Sequence, residues 1–343
     1  MLAIRNHKIP LLLLIFMMAA AWLLNISLGS VHIPLREVVD VFFSPEGSAS
    51  NSRYIIVNYR IPKAITAVLA GSGLGVSGLL MQTLFRNPLA GPYVLGISSG
   101  ASLGVALVLM GASLMGGMAG AAVSSSWALV LAASAGSLLV LFSVLLASLR
   151  LKDTMAILII GLMFASLTSA LVSVLAYFSP AAQLQQYVFW TYGSVGDLSW
   201  PELGVLGCFW GLGIGVALYC TKDLNSLLLG EQYAKSMGTR VRRNRILLIL
   251  ATSLLAGSIT AFAGPIAFVG LAVPHLVRQM FSGNDHRILL PAVIFGGAIL
   301  MLMCDTVAQL PGTEHTLPIN AVTSVIGAPV VIWLLVRKRK FIF

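Results

Sequence analysis

Long apolar runs separated by short polar interruptions dominate this chain and restrict what it can fold into. Of its 343 residues, 58% are hydrophobic and only 9% are charged, and the mean hydropathy is +0.95. A soluble domain has about 25% charged residues, and no water-soluble core could enclose this much apolar surface. The sequence therefore predicts an all-α protein that crosses a lipid bilayer many times.

About ten spans are predicted, because each apolar run is close to the ~20 residues with which a helix crosses a bilayer. The runs cover residues 10–29, 61–84, 94–111, 125–149, 155–178, 203–220, 246–263, 265–281, 288–310 and 319–336. Gly264, Pro265 and Pro274 interrupt the seventh and eighth runs, so we expect two spans with a bend between them. The first run is longer than the ~7–15 apolar residues of a signal peptide, so we expect it to be retained as a span.

The distribution of Lys and Arg predicts the orientation. With ten spans, all but four of the 21 Lys and Arg residues lie on one side of the membrane. The four exceptions are Arg36, Arg53, Arg60 and Lys63. Because basic residues are retained on the cytoplasmic side, both termini are predicted to be cytoplasmic. The net charge of +10 reflects this topology and does not indicate a nucleic-acid partner.

One sequence motif resembles a nucleotide-binding pattern, but its position in the chain argues against that function. GLGVSG at residues 73–78 matches a dinucleotide-binding pattern, but it lies inside an apolar run with no preceding strand. Ala67, Gly71 and Gly75 instead recur every four residues, which is typical of helices that pack closely in lipid. No Walker lysine motif is present, so we expect no ATP to bind to this chain. The three cysteines have no disulfide or zinc-site spacing.

A second stripe of small residues lies within the fifth run, at Gly161, Ala165, Ser169 and Ser173. Such a stripe is typical of close helix packing. It is equally typical of a transport pathway, because small and weakly polar side chains let a bulky solute slide past. The sequence alone leaves both interpretations open.

Ionisable residues are nearly absent from the predicted spans. Asp305 is the one strong candidate, near the outer end of its run, and His275 is expected at a helix end. An ion-coupled secondary transporter would be expected to bury a relay of ionisable groups and to show internal repeats. A membrane enzyme or receptor scaffold would need a catalytic cluster. Neither pattern is visible, so both classes are disfavoured alternatives, and no enzymatic activity is expected.

Residues 222–245 form the longest polar interruption on the predicted cytoplasmic side. The segment reads KDLNSLLLGEQYAKSMGTRVRRNR and carries six of the 21 Lys and Arg residues. Its centre predicts a short helix bounded by Gly230 and Gly238. A solvated basic loop explains the arginines but not the adjacent LLL, so we expect this element to contact a partner.

Four blocks of the sequence resemble the iron-chelate and cobalamin permease family of ABC importers, the type II importers. They are residues 60–102, 224–238, 264–291 and 317–340, and they occur in the family's order. The most specific are RNPLAGPYVLGISSGA, starting at Arg86, and GLAVPHLVR, starting at Gly270.

The resemblance implies that residues 1–343 form one transmembrane permease domain with the type II importer fold, in a bacterial or archaeal cytoplasmic membrane. It implies a second copy of the chain, two ATPase subunits that carry ATP and Mg²⁺, and a substrate-binding protein outside. No cofactor on this chain is implied. The expected cargo is an iron chelate, such as a ferric siderophore or haem, and cobalamin remains an alternative.

The resemblance also implies roles for individual residues. ATPase contacts are expected at Leu228, Leu229, Gly230, Glu231, Tyr233, Ala234, Met237 and Gly238. The cytoplasmic gate is expected at Asn87, Leu89, Thr154 and Met155. The pathway wall is expected at Ser98, Ser99, Ser102, Ser166, Ser169 and Ser173. Arg60 and Lys63 are expected to hold carboxylates of the binding protein, and Gln309 stands where the family often has Arg, which departs from that docking pattern.

Overall fold

The computed structural model describes residues 8–29, 33–43, 51–111, 125–151, 154–281, 283–309 and 316–336. These residues contain helices and connecting turns and no β-strand. The predicted all-α class is therefore confirmed. The two termini, whose cytoplasmic location was predicted, lie outside the described residues.

Sixteen α-helices follow one another along the described chain. They are α1 Lys8–Ser27, α2 Leu35–Phe43, α3 Asn51–Ile55, α4 Ile61–Leu84, α5 Ile97–Leu109, α6 Ser126–Arg150, α7 Thr154–Phe178, α8 Ala181–Tyr192, α9 Trp200–Tyr219, α10 Thr221–Leu228, α11 Glu231–Ser236, α12 Val241–Thr252, α13 Ser258–Ala263, α14 Val269–Met280, α15 His286–Ala308 and α16 Ile319–Val336. A π-helical turn at Ile56–Arg60 joins α3 to α4, and another at Ser253–Gly257 joins α12 to α13. Pro92–Leu95 forms a 3₁₀ turn before α5.

Each predicted span coincides with a helix or with a continuous pair of helices. Seven helical segments among the described residues are long and apolar enough to cross a membrane. Ile97–Leu109 and Ile319–Trp333 are apolar but shorter, and α14 has 12 residues. The predicted bend is confirmed, because α13 ends at Ala263 and an irregular segment precedes α14.

Helix α4 forms the centre of the fold. It belongs to the continuous helical segment Ser52–Leu84, and 83% of the residues in the apolar stretch of that segment are buried. Glycine allows its neighbours to come close. A Cβ atom on Gly71 would lie 2.1 Å from the carbonyl oxygen of Gly297 in α15, and one on Gly78 would lie 1.8 Å from that of Gly270 in α14. The small-residue stripe predicted from the sequence is therefore a packing face.

Helix α7 lies at the edge of the helix bundle, and only 17% of the residues in its apolar stretch are buried. Its first half packs on the 3₁₀ turn, where a Cβ atom on Gly161 would lie 2.4 Å from the carbonyl oxygen of Val94. Further along, Leu167, Leu171 and Val174 are exposed. One long face of α7 is thus left uncovered within a single chain.

Contacts between distant segments define two ends of the helix bundle. At one end, which we name the basic end, Arg245 contacts Leu151 and Asn225 contacts Asp285. At the other, the far end, Lys63 contacts Asp305. The described residues thus show the grouping of basic segments that the charge distribution predicted.

Candidate functional site

The short helix predicted at the basic end is present as α11, and Gly230 separates it from α10. Gly230 has φ +108° and Gly238 has φ +86°, and this half of conformational space is readily accessible only to glycine. These two residues therefore turn the chain sharply before and after α11. We name residues 221–238, which comprise α10 and α11, the coupling element.

An apolar patch covers the outward face of the coupling element. Leu229, Tyr233 and Met237 recur at four-residue spacing, and their exposed fractions are 61%, 56% and 58%. Tyr233 lies in α11, and Leu229 and Met237 lie just outside its two ends, so three large exposed apolar side chains occur within nine residues. Exposed large apolar side chains that are concentrated in one short segment at a polar end of a protein are typical of a binding surface.

The other residues expected to contact a partner lie elsewhere on the element. Leu228 and Glu231 are half-buried, and Gly238 is exposed. Ala234 is completely buried and Gly230 is also buried. The structure therefore does not place the Ala234 side chain on the outward face. Both residues shape the element from inside.

A hydrogen-bond network anchors α10 to the start of α15. The Asn225 amide donates to Asp285 Oδ1 over 2.7 Å, and Asn225 Oδ1 accepts from the His286 backbone N–H over 2.9 Å. His286 Nε2 lies 2.9 Å from Thr83 Oγ1 in α4. Burial alone would raise the pKa of the Asp285 carboxyl, but hydrogen bonds from the Arg287 backbone and from Asn225, with the nearby positive charges, hold it below its usual range.

The first predicted gate segment is a turn after α4. Asn87 Oδ1 accepts a hydrogen bond from the Leu89 backbone N–H over 2.9 Å, which fixes the turn, and the Leu89 side chain is 45% exposed. His275 Nε2 donates to the Pro88 carbonyl oxygen over 2.8 Å. His275 lies inside α14 and is buried, so its expected place at a helix end is wrong. It ties α14 to the turn.

The second predicted gate segment is the start of α7. The helix begins at Thr154, and the Met155 side chain is 51% exposed. The predicted start of this span, at residue 155, agrees with the helix boundary to within one residue. The role of both segments as a gate stays a prediction.

The serines expected along the pathway lie on α5 and α7. Ser166, Ser169 and Ser173 are exposed on α7. The Ser166 hydroxyl donates to the Leu162 carbonyl oxygen over 3.1 Å, and that of Ser173 donates to Ser169 over 3.0 Å. Hydroxyls that are bonded to their own helix offer only weak polar contacts to a solute.

On α5, the three serines at 98, 99 and 102 are half-buried. Ser102 shares a hydrogen bond with the hydroxyl of Tyr187 in α8, so part of its polar capacity is already used within the chain. The small-residue stripe of α7 thus has two environments. Gly161 packs against the 3₁₀ turn, whereas Ser169 and Ser173 are exposed.

At the far end, Arg60 is directed into the fold. It is 9% exposed, and its Nη1 donates to the carbonyl oxygens of Ile26 and Ser27, the latter over 2.9 Å. These are carbonyls at the C-terminus of α1, where a cation is favoured. This geometry does not support Arg60 as a docking residue, because its guanidinium group is already engaged.

Lys63 forms an ion pair with the buried Asp305, with Nζ and Oδ1 3.2 Å apart. Asp305 Oδ2 accepts from the side-chain amides of Asn25 over 2.9 Å and of Gln309 over 2.7 Å. The Lys63 side chain remains 22% exposed and borders an open recess of about 510 Å³. The recess also contains Asp197, Ser194 and Tyr192.

Buried polar links between distant segments were not recognised in the sequence. Arg245 in α12 donates from Nη2 to Glu231 Oε1 over 2.9 Å and from Nη1 to the Leu151 carbonyl oxygen over 3.1 Å. The only signal was an arginine directly before an apolar run, which ordinary charge segregation also explains. Asn25, a polar residue inside the first apolar run, was a clearer signal for the Asp305 network.

The FecCD transport family model matches residues 14–337. A protein named vitamin B12 import system permease protein BtuC, from Klebsiella pneumoniae, is 38% identical over 295 residues, which is 86% of each chain. The protein of that name from Salmonella paratyphi A is 35% identical over 324 residues, covering 93% of this chain and 96% of the other. A solved structure described as an inward-facing, metal-chelate type ABC transporter has 29% identity and a TM-score of 0.84, covering 96% of this chain and all of that one.

Proposed function

The chain belongs to the FecCD transport family and is the permease of an ABC importer, and on this basis we propose that it conducts a large metal-bearing chelate into the cytoplasm. The names of the relatives support cobalamin, and the description of the structural neighbour supports a metal chelate, the class that includes iron chelates. The exposed face of α7 carries this proposal. It offers aliphatic side chains and internally bonded serines rather than charges. A bulky chelate can pass such a wall without being held.

The proposed assembly contains two copies of this chain. Only 17% of the residues in the apolar stretch of α7 are buried within one chain, so a second copy would supply the opposite wall of the pathway. The whole of residues 1–343 then acts as one transmembrane domain. Leu89 and Met155 are the proposed gate side chains, because each exposes about half of its surface near the basic end.

The proposed partner at the coupling element is an ATPase subunit that supplies ATP hydrolysis. The apolar patch of Leu229, Tyr233 and Met237 supports this proposal, because it is exposed beside a strongly basic segment. Basic segments stay on the cytoplasmic side, where ATP is available. Two ATPase subunits would bind the two copies.

The proposed partner at the far end is a substrate-binding protein. Lys63 is the proposed docking cation because it borders the open recess, whereas Arg60 is enclosed by α1. The pairing with Asp305 lowers the net charge at Lys63, so we expect charge to contribute modestly to docking.

The experiment is uptake into proteoliposomes that contain this chain, its ATPase subunits and its binding protein. Cobalamin, a ferric siderophore and haem are tested side by side, with ATP inside or absent. We expect ATP-dependent accumulation of one chelate class. Uptake that proceeds without ATP, or no accumulation of any metal-bearing chelate by an assembled complex, contradicts the proposal.

A further inference from the structure

Arg245 connects the coupling element to the start of the proposed gate helix. It belongs to α12, and its side chain is only 7% exposed. One nitrogen of its guanidinium group bonds to Glu231, the first residue of α11. A second nitrogen bonds to the carbonyl oxygen of Leu151, which directly follows α6.

The two acceptors belong to segments that are far apart in sequence. Glu231 is part of the element that carries the apolar patch, and Leu151 lies three residues before Thr154, where α7 begins. A planar guanidinium group donates in fixed directions, so the position of one acceptor restricts the position of the other. A movement of α11 is therefore resisted or transmitted at the junction between α6 and α7.

Other contacts of the coupling element do not provide this connection. Asn225 and His286 tie α10 to α15 and α4. Arg86 donates to the Leu228 carbonyl oxygen, but over 3.5 Å and at an exposed position, where a hydrogen bond is weak. The two Arg245 hydrogen bonds, in contrast, are short and partly buried, and one of them reaches the segment directly before α7.

We propose that Arg245 is a positioning residue that transmits ATPase-driven movement of α11 to the gate segment at the start of α7. The inference rests on the proposed function, because it presupposes an ATPase bound at the coupling element. It adds a specific route by which ATP hydrolysis controls access to the pathway. Charge-assisted hydrogen bonds in a shielded place are strong enough to keep the two segments moving together.

The alternative is that Arg245 only stabilises the fold. The two roles differ in what they change. A purely structural residue affects the amount and thermal stability of the complex, whereas a transmitting residue affects the chelate transported per ATP hydrolysed. The experiment therefore measures assembly, thermal stability, ATP hydrolysis and transport for each variant in the reconstituted complex.

The variants are Arg245→Gln, Glu231→Gln and the double variant, with Arg243→Gln as the matched control. Arg243 lies on the same helix and is exposed, and it contacts Tyr219 over 3.1 Å. We expect Arg245→Gln to keep the ATPase bound and to lower transport per ATP about tenfold, within the usual range for coupled sites. The double variant should be no worse than Arg245→Gln alone, because both changes break one connection. The control should match the parent.

A second readout follows the gate directly. A fluorescent label on Met155→Cys, in a Cys208→Ser background because Cys208 is exposed, should respond to ATP in the parent and not in Arg245→Gln. An unchanged response together with unchanged transport per ATP overturns the inference. The inference is also overturned if Arg245→Gln and Glu231→Gln each lower transport per ATP and the two losses multiply in the double variant. If Arg245→Gln does not assemble, the same measurements on Glu231→Gln test the inference. The Glu231 side chain is 30% exposed and glutamine keeps its shape, so we expect this variant to assemble. A parent chain that binds no ATPase contradicts the proposed function instead.

Discussion

Lys63 Nζ and Asp305 Oδ1 lie 3.2 Å apart at the far end of the bundle, and this pair joins the outer start of α4 to the end of α15. Asp305 is 2% exposed, whereas the Lys63 side chain reaches the open recess. The Asp305 carboxylate therefore accepts hydrogen bonds from two buried side-chain amides and forms an ion pair with one partly exposed cation. This arrangement determines what each partner should do when it is changed.

Lys63→Gln should weaken docking of the binding protein and reduce the salt dependence of that docking. An exposed or partly exposed ion pair contributes about 0.2–1 kcal/mol, so the expected change in affinity is severalfold at most. Arg60→Gln should leave docking unchanged and lower the thermal stability of the permease, because it removes the cap of α1. Binding-protein affinity at low and high salt, measured alongside melting temperature, separates the two. An Arg60 variant with normal stability and lost docking would contradict this assignment.

The coupling element predicts different outcomes for its outward and inward residues. Tyr233→Ser should detach or weaken the ATPase while leaving the permease stable, because the side chain is 56% exposed. Ala234→Leu should destabilise the element itself, since overpacking a filled site costs about 1–3 kcal/mol. Co-purification of the ATPase and the melting temperature of the isolated permease distinguish the two effects. Full ATPase retention by Tyr233→Ser would remove the apolar patch from the interface.

Glycine packing at α4 gives a prediction with an internal control. Gly71→Ala would place a methyl group 2.1 Å from a backbone oxygen of α15, which that backbone can accommodate only by moving. Gly211 in α9 has open space around it, so Gly211→Ala should be tolerated. Expression level and the melting temperature in detergent should fall for the first and not for the second. Equal behaviour of the two variants would show that α4 is less tightly enclosed than described.

The sequence predicted the helices well, because apolar runs, prolines and glycines act locally. Gly230, Gly238 and Gly264 marked turns that the structure confirms, since only glycine readily adopts the positive φ found there. The spacing of small residues along α7 left open whether that face packs or is exposed, and the structure shows Ser169 and Ser173 exposed. The direction in which a side chain points at the end of a span could not be predicted from residue type and spacing. Arg60 and Lys63 are three residues apart, yet one enters the fold and the other borders a recess.

That difference depends on contacts that no local pattern encodes. Arg60 turns inward because α1 ends beside it, and the Arg245 connection exists because α6, α11 and α12 meet at one point. Ala234 faces inward because α11 packs against its neighbours on that side. Tertiary placement, rather than residue type, decides which members of a motif are available to partners.

Asp305→Asn should leave the pH profile of transport unchanged. The carboxylate accepts from Asn25 and Gln309 and pairs with Lys63, so the structure uses it as a junction between α1, α4 and α15. Removing its charge leaves a lysine that can turn toward the recess, so we expect a loss of about 1–2 kcal/mol of stability, below the ~3–5 kcal/mol typical of a fully buried pair. Uptake in proteoliposomes with internal ATP, with and without an uncoupler, is measured for parent and variant. We expect the uncoupler to have no effect on either one. Uptake that the uncoupler abolishes while ATP stays high, or a pH dependence that disappears in the variant, would instead identify Asp305 as a proton site and the protein as an ion-coupled carrier.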